Sequence, residues 1–144
     1  YLNHGGLRPL FEKAYLKNYD IREALVAFHK TFFEIPYPMR TRKHVADIRK
    51  RSSAKRLNMF LRWMVRRDPS GVDFGIWKAM DQAHLYMPLD VHSGKVARQL
   101  GLLQRKQNDW QAVEELTDRM REFDPQDPVK YDYALFGLGV FEKF

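Results

Sequence analysis

Cysteine is absent from all 144 residues, which excludes a disulfide framework, a thiolate zinc site and a Cys-held iron–sulfur cluster together. Long apolar runs are scarce as well. The longest, Ala134 to Phe141, has eight residues, against about 20 for a membrane span, so no transmembrane helix is expected. No Gly-rich phosphate cradle of the Walker or Rossmann type occurs, because Gly5-Gly6 runs into Leu7 and Pro9 with no strand before it. Ahead of Tyr1-Leu2-Asn3-His4 there is no initiator Met and no basic-then-apolar leader. The chain is therefore expected to be a fragment or a processed product of a cytoplasmic protein. His4, His29, His44, His84 and His92 are scattered, with no i,i+4 pair and no His-Glu-x-x-His, so neither a metal nor another cofactor is expected.

What is present argues for a folded chain. Apolar residues make up 44% and aromatics 14%, ample for a buried core, and the length suits one all-helical domain over residues 1–144. Net charge is +7, but its placement says more. Between Arg40 and Arg67 stand eleven Lys or Arg and one acid, Asp47, whereas the remainder of the chain is slightly acidic. Such a one-signed window favours a polyanion-binding surface over a merely solvated face.

Apolar spacing is helical throughout, and no alternation of period two extends beyond four residues. The chain is read as all-α. Asp20 is expected to cap a helix ending near Phe33, before Pro36 and Pro38. The basic connection that follows has room for a short helix over 43–48. Leu57, Phe60, Leu61, Met64 and Val65 then form the apolar face of a helix over about 53–66, with Lys55, Arg62 and Arg66 on its other face. Asp68-Pro69-Ser70-Gly71 is turn chemistry. Asp90 opens a helix that stops at Gly101. Asn108 is expected to cap a further helix, with Trp110, Val113, Leu116, Met120 and Phe123 inward and a Glu115–Arg119 pair outside. Asp127-Pro128 begins the last helical segment, with Asp127 as its cap.

Two residues could carry chemistry. Lys55 lies in the first turn of a basic helix, where the macrodipole and Arg51, Arg56 and Arg62 disfavour the ammonium and so favour a nucleophilic amine. A phosphate-contacting or solvated lysine is the simpler reading. Asp90 is first of all a helix cap, and a catalytic carboxylate only if something reactive stands beside it.

The run Met87-Pro88-Leu89-Asp90-Val91-His92, followed by Lys95-Val96-Ala97-Arg98-Gln99-Leu100-Gly101-Leu102, resembles a signature of the helix-hairpin-helix DNA glycosylase superfamily. That group holds endonuclease III and the 8-oxoguanine glycosylases. Ser53-Ala54-Lys55-Arg56-Leu57-Asn58 looks like its second hairpin helix, and Asp127 to Gly139 like its closing helix. More closely, Lys55 to Arg66, Arg105 to Trp110 and Tyr133 to Gly139 are similar to a bacterial family of uncharacterised proteins, which supplies a fold relationship and no activity. The superfamily resemblance implies a helical glycosylase-like fold with a helix-hairpin-helix element, lacking upstream helices, as the C-terminal part of a longer chain. It implies Lys55 as Schiff-base nucleophile, Asp90 as catalytic carboxylate, and Asn58 and His92 as positioning residues. Contact with damaged or abasic double-stranded DNA would fall to Arg49, Lys50, Arg51, Ser52, Ser53, Arg56 and Arg62. The expected function is that of a base-excision glycosylase and abasic-site lyase, acting as a monomer without membrane or metal cluster. The alternatives are a non-catalytic nucleic-acid-binding module and a purely helical interaction protein.

The sequence departs from that pattern in three places. The hairpin reads Arg51-Ser52-Ser53-Ala54, without the usual glycines, so its phosphate contact would be reshaped. The 35 residues from Lys55 to Asp90 include an insertion over 68–86, as in the archaeal 8-oxoguanine glycosylases. The four-Cys cluster loop of endonuclease III is missing.

Overall fold

The computed structural model describes residues 2–142, and they are predominantly helical. The α-helices are α1 (Leu7–Tyr15), α2 (Ile21–Phe32), α3 (Lys55–Val65), α4 (Val91–Gln99), α5 (Trp110–Phe123) and α6 (Asp132–Phe141). Short 3₁₀ turns at Met39–His44, Ile48–Lys50, Gln82–His84 and Pro128–Tyr131 sit in the connections. No strand occurs among the described residues, only isolated bridges from Ser52 to Asp109 and from Arg67 to Phe74.

Aspartate starts half of these elements, by accepting from a backbone N–H that the first turn leaves unpaired. Asp20 takes Arg22 N at 2.8 Å to open α2, and Asp109 takes Ala112 N at 3.1 Å to open α5. Asp90 and Ser93 form a reciprocal capping box at α4. The cap of α5 is thus Asp109, one residue beyond the expected Asn108. Asn108 instead accepts from Arg98 at 2.7 Å. Asp127 precedes the Pro128–Tyr131 turn without capping it, because its carboxylate is taken by Arg66. The expected helix over 43–48 is replaced by the two 3₁₀ turns at Met39–His44 and Ile48–Lys50, separated by extended backbone at Val45 and Asp47.

The helices meet through matched apolar faces. Phe11 of α1 stacks on Phe28 of α2 with centroids 5.1 Å apart, and Trp77 lies 5.7 Å from Phe11 and 5.4 Å from Phe60 of α3. Leu61, Leu85, Leu89, Val96, Val113 and Leu116 are buried in the same core. Helices α4 and α6 pack closely, since a Cβ on Gly139 would stand 3.0 Å from the His92 carbonyl oxygen. Phe123, expected inward, is 58% exposed at the end of α5. The expected Glu115–Arg119 pair is also absent: Glu115 accepts from Gln104 N and Arg119 turns to Glu122.

The later turns of the polar face of α3 are buried and not solvated. Arg62 and Arg66 are only 4% and 8% exposed, although helical spacing placed them in solvent. Buried guanidinium groups need carboxylates, and two stretches of chain bring three of them. Asp73 accepts from Arg62 Nε at 3.2 Å and Arg66 Nη1 at 3.0 Å; Asp132 accepts from Arg62, and Asp127 accepts from Arg66 Nε at 3.0 Å. Tyr133 covers Arg62 with its ring, 4.5 Å from the guanidinium carbon, and donates its hydroxyl to Asp73. Replacing Asp73 by Ala leaves two guanidiniums short of a partner. A loss of about 3–5 kcal/mol in urea unfolding is expected, whereas Arg119→Ala at the surface should cost less than about 1 kcal/mol. Equal, small losses in the two variants would contradict this account of the network.

Candidate functional site

Lys55 is the first residue of α3 and Asp90 the cap of α4, and the fold brings their side chains together. Lys55 Nζ donates to Asp90 Oδ2 at 2.7 Å. The two carboxylate oxygens are used differently. Oδ1 accepts from Ser93 N at 2.9 Å and Ser93 Oγ at 3.0 Å, which fixes the capping box. Oδ2 faces the ammonium. Burial pushes the Asp90 carboxyl upward, but hydrogen bonds from Lys55 and Ser93 outweigh it and hold Asp90 below its ordinary range. The Lys55 side chain keeps 38% of its exposure and Asp90 keeps 14%, so the pair lies at the protein surface with its amine accessible.

The backbone leading into α3 is a tight turn. Asp47 caps Ile48–Lys50 through Arg49 N, and then Arg51 adopts φ 66° and Ala54 φ 49°. Left-handed backbone costs a non-glycine residue about 1–2 kcal/mol. Several bonds hold it in place. Trp110 N donates to the Arg51 carbonyl at 3.0 Å, Ala54 N to Ser52 Oγ at 3.2 Å, and Asn58 Nδ2 to the Ser53 carbonyl at 3.2 Å. Asn58 is therefore a buried brace between the turn and α3; its Oδ1 has no partner. No side chain caps α3, which leaves its first amides facing the same end as Lys55.

Of the residues expected to contact DNA, Lys50, Arg51 and Arg56 are exposed around this turn, with Ser52 and Ser53 half-buried within it. Arg49 is exposed but engaged, with Nε 2.9 Å from Asp47 Oδ1 and Nη2 3.3 Å from His29 Nδ1. Arg62 is not part of this surface, because it is buried against Asp73 and Asp132. Nor does it flank Lys55 as a free cation; the partner of Lys55 is a carboxylate. His92 is exposed and sets its ring edge-on to Phe136 of α6, at 6.1 Å. It makes no hydrogen bond to the Lys55–Asp90 pair among the described residues.

Sequence spacing did not reveal the cleft beside the turn. One cavity of about 470 Å³ runs past Lys55, Arg56, His44 and Phe28. It adjoins another of about 690 Å³ lined by Arg42, Arg49, Lys50 and His29, with Lys43 and Ser52 common to both. Burial pushes His29 down, and Arg49, Lys50 and Arg42 act in the same sense against Asp47. Asp132 is the other residue that spacing missed. Burial raises its carboxyl to about 6; Arg62 lowers it, while Asp90 adds to the rise. An aspartate at a helix start has an ordinary capping or surface explanation, so the sequence carries no signal of this burial.

The raised Asp132 carboxyl couples folding stability to pH. Its contribution to stability is fully present below the unfolded carboxylate value near pH 4 and is lost as pH rises through about 6. Asp90, held low, acts oppositely and loses its contribution only as pH falls below about 4. Urea midpoints measured from pH 4 to 7 should therefore decline less in Asp132→Asn than in the unaltered chain. Parallel profiles would remove Asp132 as the titrating group.

No helix among the described residues is long and apolar enough to cross a membrane, and no group of three or more His, Asp or Glu there could hold a metal ion. No significant match is found among curated proteins or among solved structures. A family described as protein of unknown function, DUF2400, matches residues 1–141, and the chain belongs to that family.

Proposed function

We propose that this chain is a DNA glycosylase and abasic-site lyase of the base-excision type, with Lys55 as its nucleophile and Asp90 as its carboxylate. The observation that carries the reading is the 2.7 Å contact between two residues 35 positions apart in sequence, at the edge of a basic cleft. A partly exposed lysine in hydrogen-bond reach of a carboxylate is what an amine nucleophile and its proton acceptor need. The turn over 48–54 supports a helix-hairpin-helix-like element. Arg51 and Ala54 take up left-handed backbone in the stretch where the resemblance puts glycine. Lys50, Arg51 and Arg56 would neutralise phosphates of duplex DNA around it, a salt-sensitive contribution.

In this reading a damaged nucleotide leaves the stack and meets the pair at its C1′ carbon. Asp90 stabilises the positive charge that develops on the sugar as the C1′–N bond breaks and its electrons leave with the base. Lys55 gives up a proton to Asp90 Oδ2, and Nζ bonds to C1′. Opening of the sugar ring yields the imine. Loss of a C2′ proton then breaks the C3′–O bond, freeing the 3′ phosphate, and hydrolysis returns Lys55. At an existing abasic site the amine adds to the aldehyde carbon and water leaves in forming the same imine.

The test is cleavage of an abasic duplex. Lys55→Gln should abolish cleavage and change affinity by no more than about threefold. Asp90→Asn keeps a side chain that caps helices well, so folding should persist while the rate falls by about 10²-fold or more. Cleavage by Lys55→Gln at the normal rate contradicts the assignment. Tight, salt-sensitive binding by an unaltered chain that never cleaves would instead establish a non-catalytic nucleic-acid-binding module.

A further inference from the structure

At the far end of α3 lies a second cavity that the proposed chemistry does not use. Lys55 begins the helix and Val65 ends it, about 15 Å away at 1.5 Å per residue. Around Val65 the end of α1, the 78–84 segment and Gln126 enclose about 540 Å³. That volume lies within the range of about 300–1,000 Å³ usual for small-ligand sites.

Beside one carboxylate, Asp81, which accepts from Ala83 N at 2.9 Å, the lining combines three kinds of group. First, Tyr15, buried in the core, sets its hydroxyl 2.6 Å from His84 Nδ1, and the same oxygen accepts from Asp81 N at 3.2 Å. With that acceptance made, the phenol proton can go to Nδ1, which leaves His84 Nε2 as an N–H donor. Second, Arg67 and Lys78 stand exposed at the rim, and neither has a carboxylate within 4.0 Å among the described residues. Third, Tyr19 is 62% exposed and holds a left-handed backbone at φ 55°. The turn between α1 and α2 would favour glycine at that φ, because a bulky side chain is strained there. The ring meets Tyr15 edge-on at 5.8 Å, with most of its surface open. A strained backbone that keeps an exposed aromatic ring beside unpaired cations is the kind of outlier found at ligand sites.

We propose that this cavity binds a nucleoside monophosphate, with the base on the Tyr19 ring and the phosphate between Arg67 and Lys78. Ring stacking tolerates any base, guanidinium and ammonium groups recognise phosphate, and His84 and Gln126 supply polar edges. The same chemistry is offered by a free nucleotide or by the 5′-phosphorylated end of a single strand. The site is independent of Lys55 and Asp90.

Calorimetric titration of guanosine 5′-monophosphate into the full chain should show one saturable site. Inorganic phosphate and guanosine should each bind at least about tenfold more weakly, since each satisfies only part of the site. Arg67→Ala and Lys78→Ala should each weaken the nucleotide by about tenfold. Tyr19→Gly removes the ring and supplies the residue that the backbone favours, so the melting temperature should hold or rise while affinity falls. Should that variant melt earlier, Tyr19→Phe must bind as the unaltered chain does, or the proposal fails. Displacement of the mononucleotide by a 5′-phosphorylated oligonucleotide, and not by its unphosphorylated form, would assign the site to strand ends; no displacement would assign it to the free nucleotide. Absence of saturable binding, full affinity in Tyr19→Gly, or phosphate binding as tightly as the nucleotide overturns the proposal. Tyr19→Gly and Lys78→Ala should leave abasic-duplex cleavage unchanged, so this proposal and the lyase reading fail separately.

Discussion

Two guanidinium groups buried on one helix constrain much of this fold. Once the apolar face of α3 turns inward, Arg62 and Arg66 have little access to water, and buried charge without a partner is among the costliest features a protein can carry. Their carboxylates come from Asp73, in the connection that follows α3, and from Asp127 and Asp132, at the start of the last helical stretch. The 68–76 segment must therefore cross α3 with Asp73 inward, where the backbone also bonds Phe74 N to the Trp63 carbonyl. Its alternation then turns Val72, Phe74 and Ile76 outward, where they remain exposed. Asp132 likewise anchors α6, and the close packing of α6 on α4 sets where Asp90 can stand.

The charges sort themselves along α3. Its first turn faces the exposed cations Lys50, Arg51 and Arg56, whereas its later turns meet three carboxylates that exceed the two guanidiniums they bind. Lys55 lies at the boundary, one residue from Arg56 and in contact with Asp90. This gradient suits an amine that must approach a polyanion while keeping a carboxylate for its proton. The raised Asp132 carboxyl comes first from its burial, with Arg62 opposing the rise and Asp90 and Asp73 adding to it.

Local chemistry was legible in the sequence wherever one residue decides an element. Asp20, Asp90 and Gly101 marked helix ends because caps and left-handed exits act over a few residues. Asn108 and Asp109 are both of types that cap helices, but Arg98 takes the Asn108 oxygen, whereas Asp109 keeps Ala112 N while also accepting from Arg105. The all-helical class followed from spacing, but the polar stripe Lys55, Asn58, Arg62 and Arg66 did not declare its own burial. A stripe of that kind is solvated or buried according to what arrives from 7 to 70 residues away. The Lys55–Asp90 pairing came from a resemblance rather than from spacing, and the Arg42–Lys43–His29 cleft came from neither, because a wandering connection forms it.

The lyase chemistry proposed above requires that Lys55, and no other lysine, become covalently joined to C1′ of an abasic nucleotide. Borohydride trapping of the full chain on an abasic duplex, followed by proteolysis and mass spectrometry of the reduced adduct, addresses it directly. The account predicts a single modified peptide with the sugar on Lys55, absent from Lys55→Gln. An adduct on Lys43, Lys50 or Lys78 in place of Lys55, or no adduct while the duplex stays bound, would contradict it.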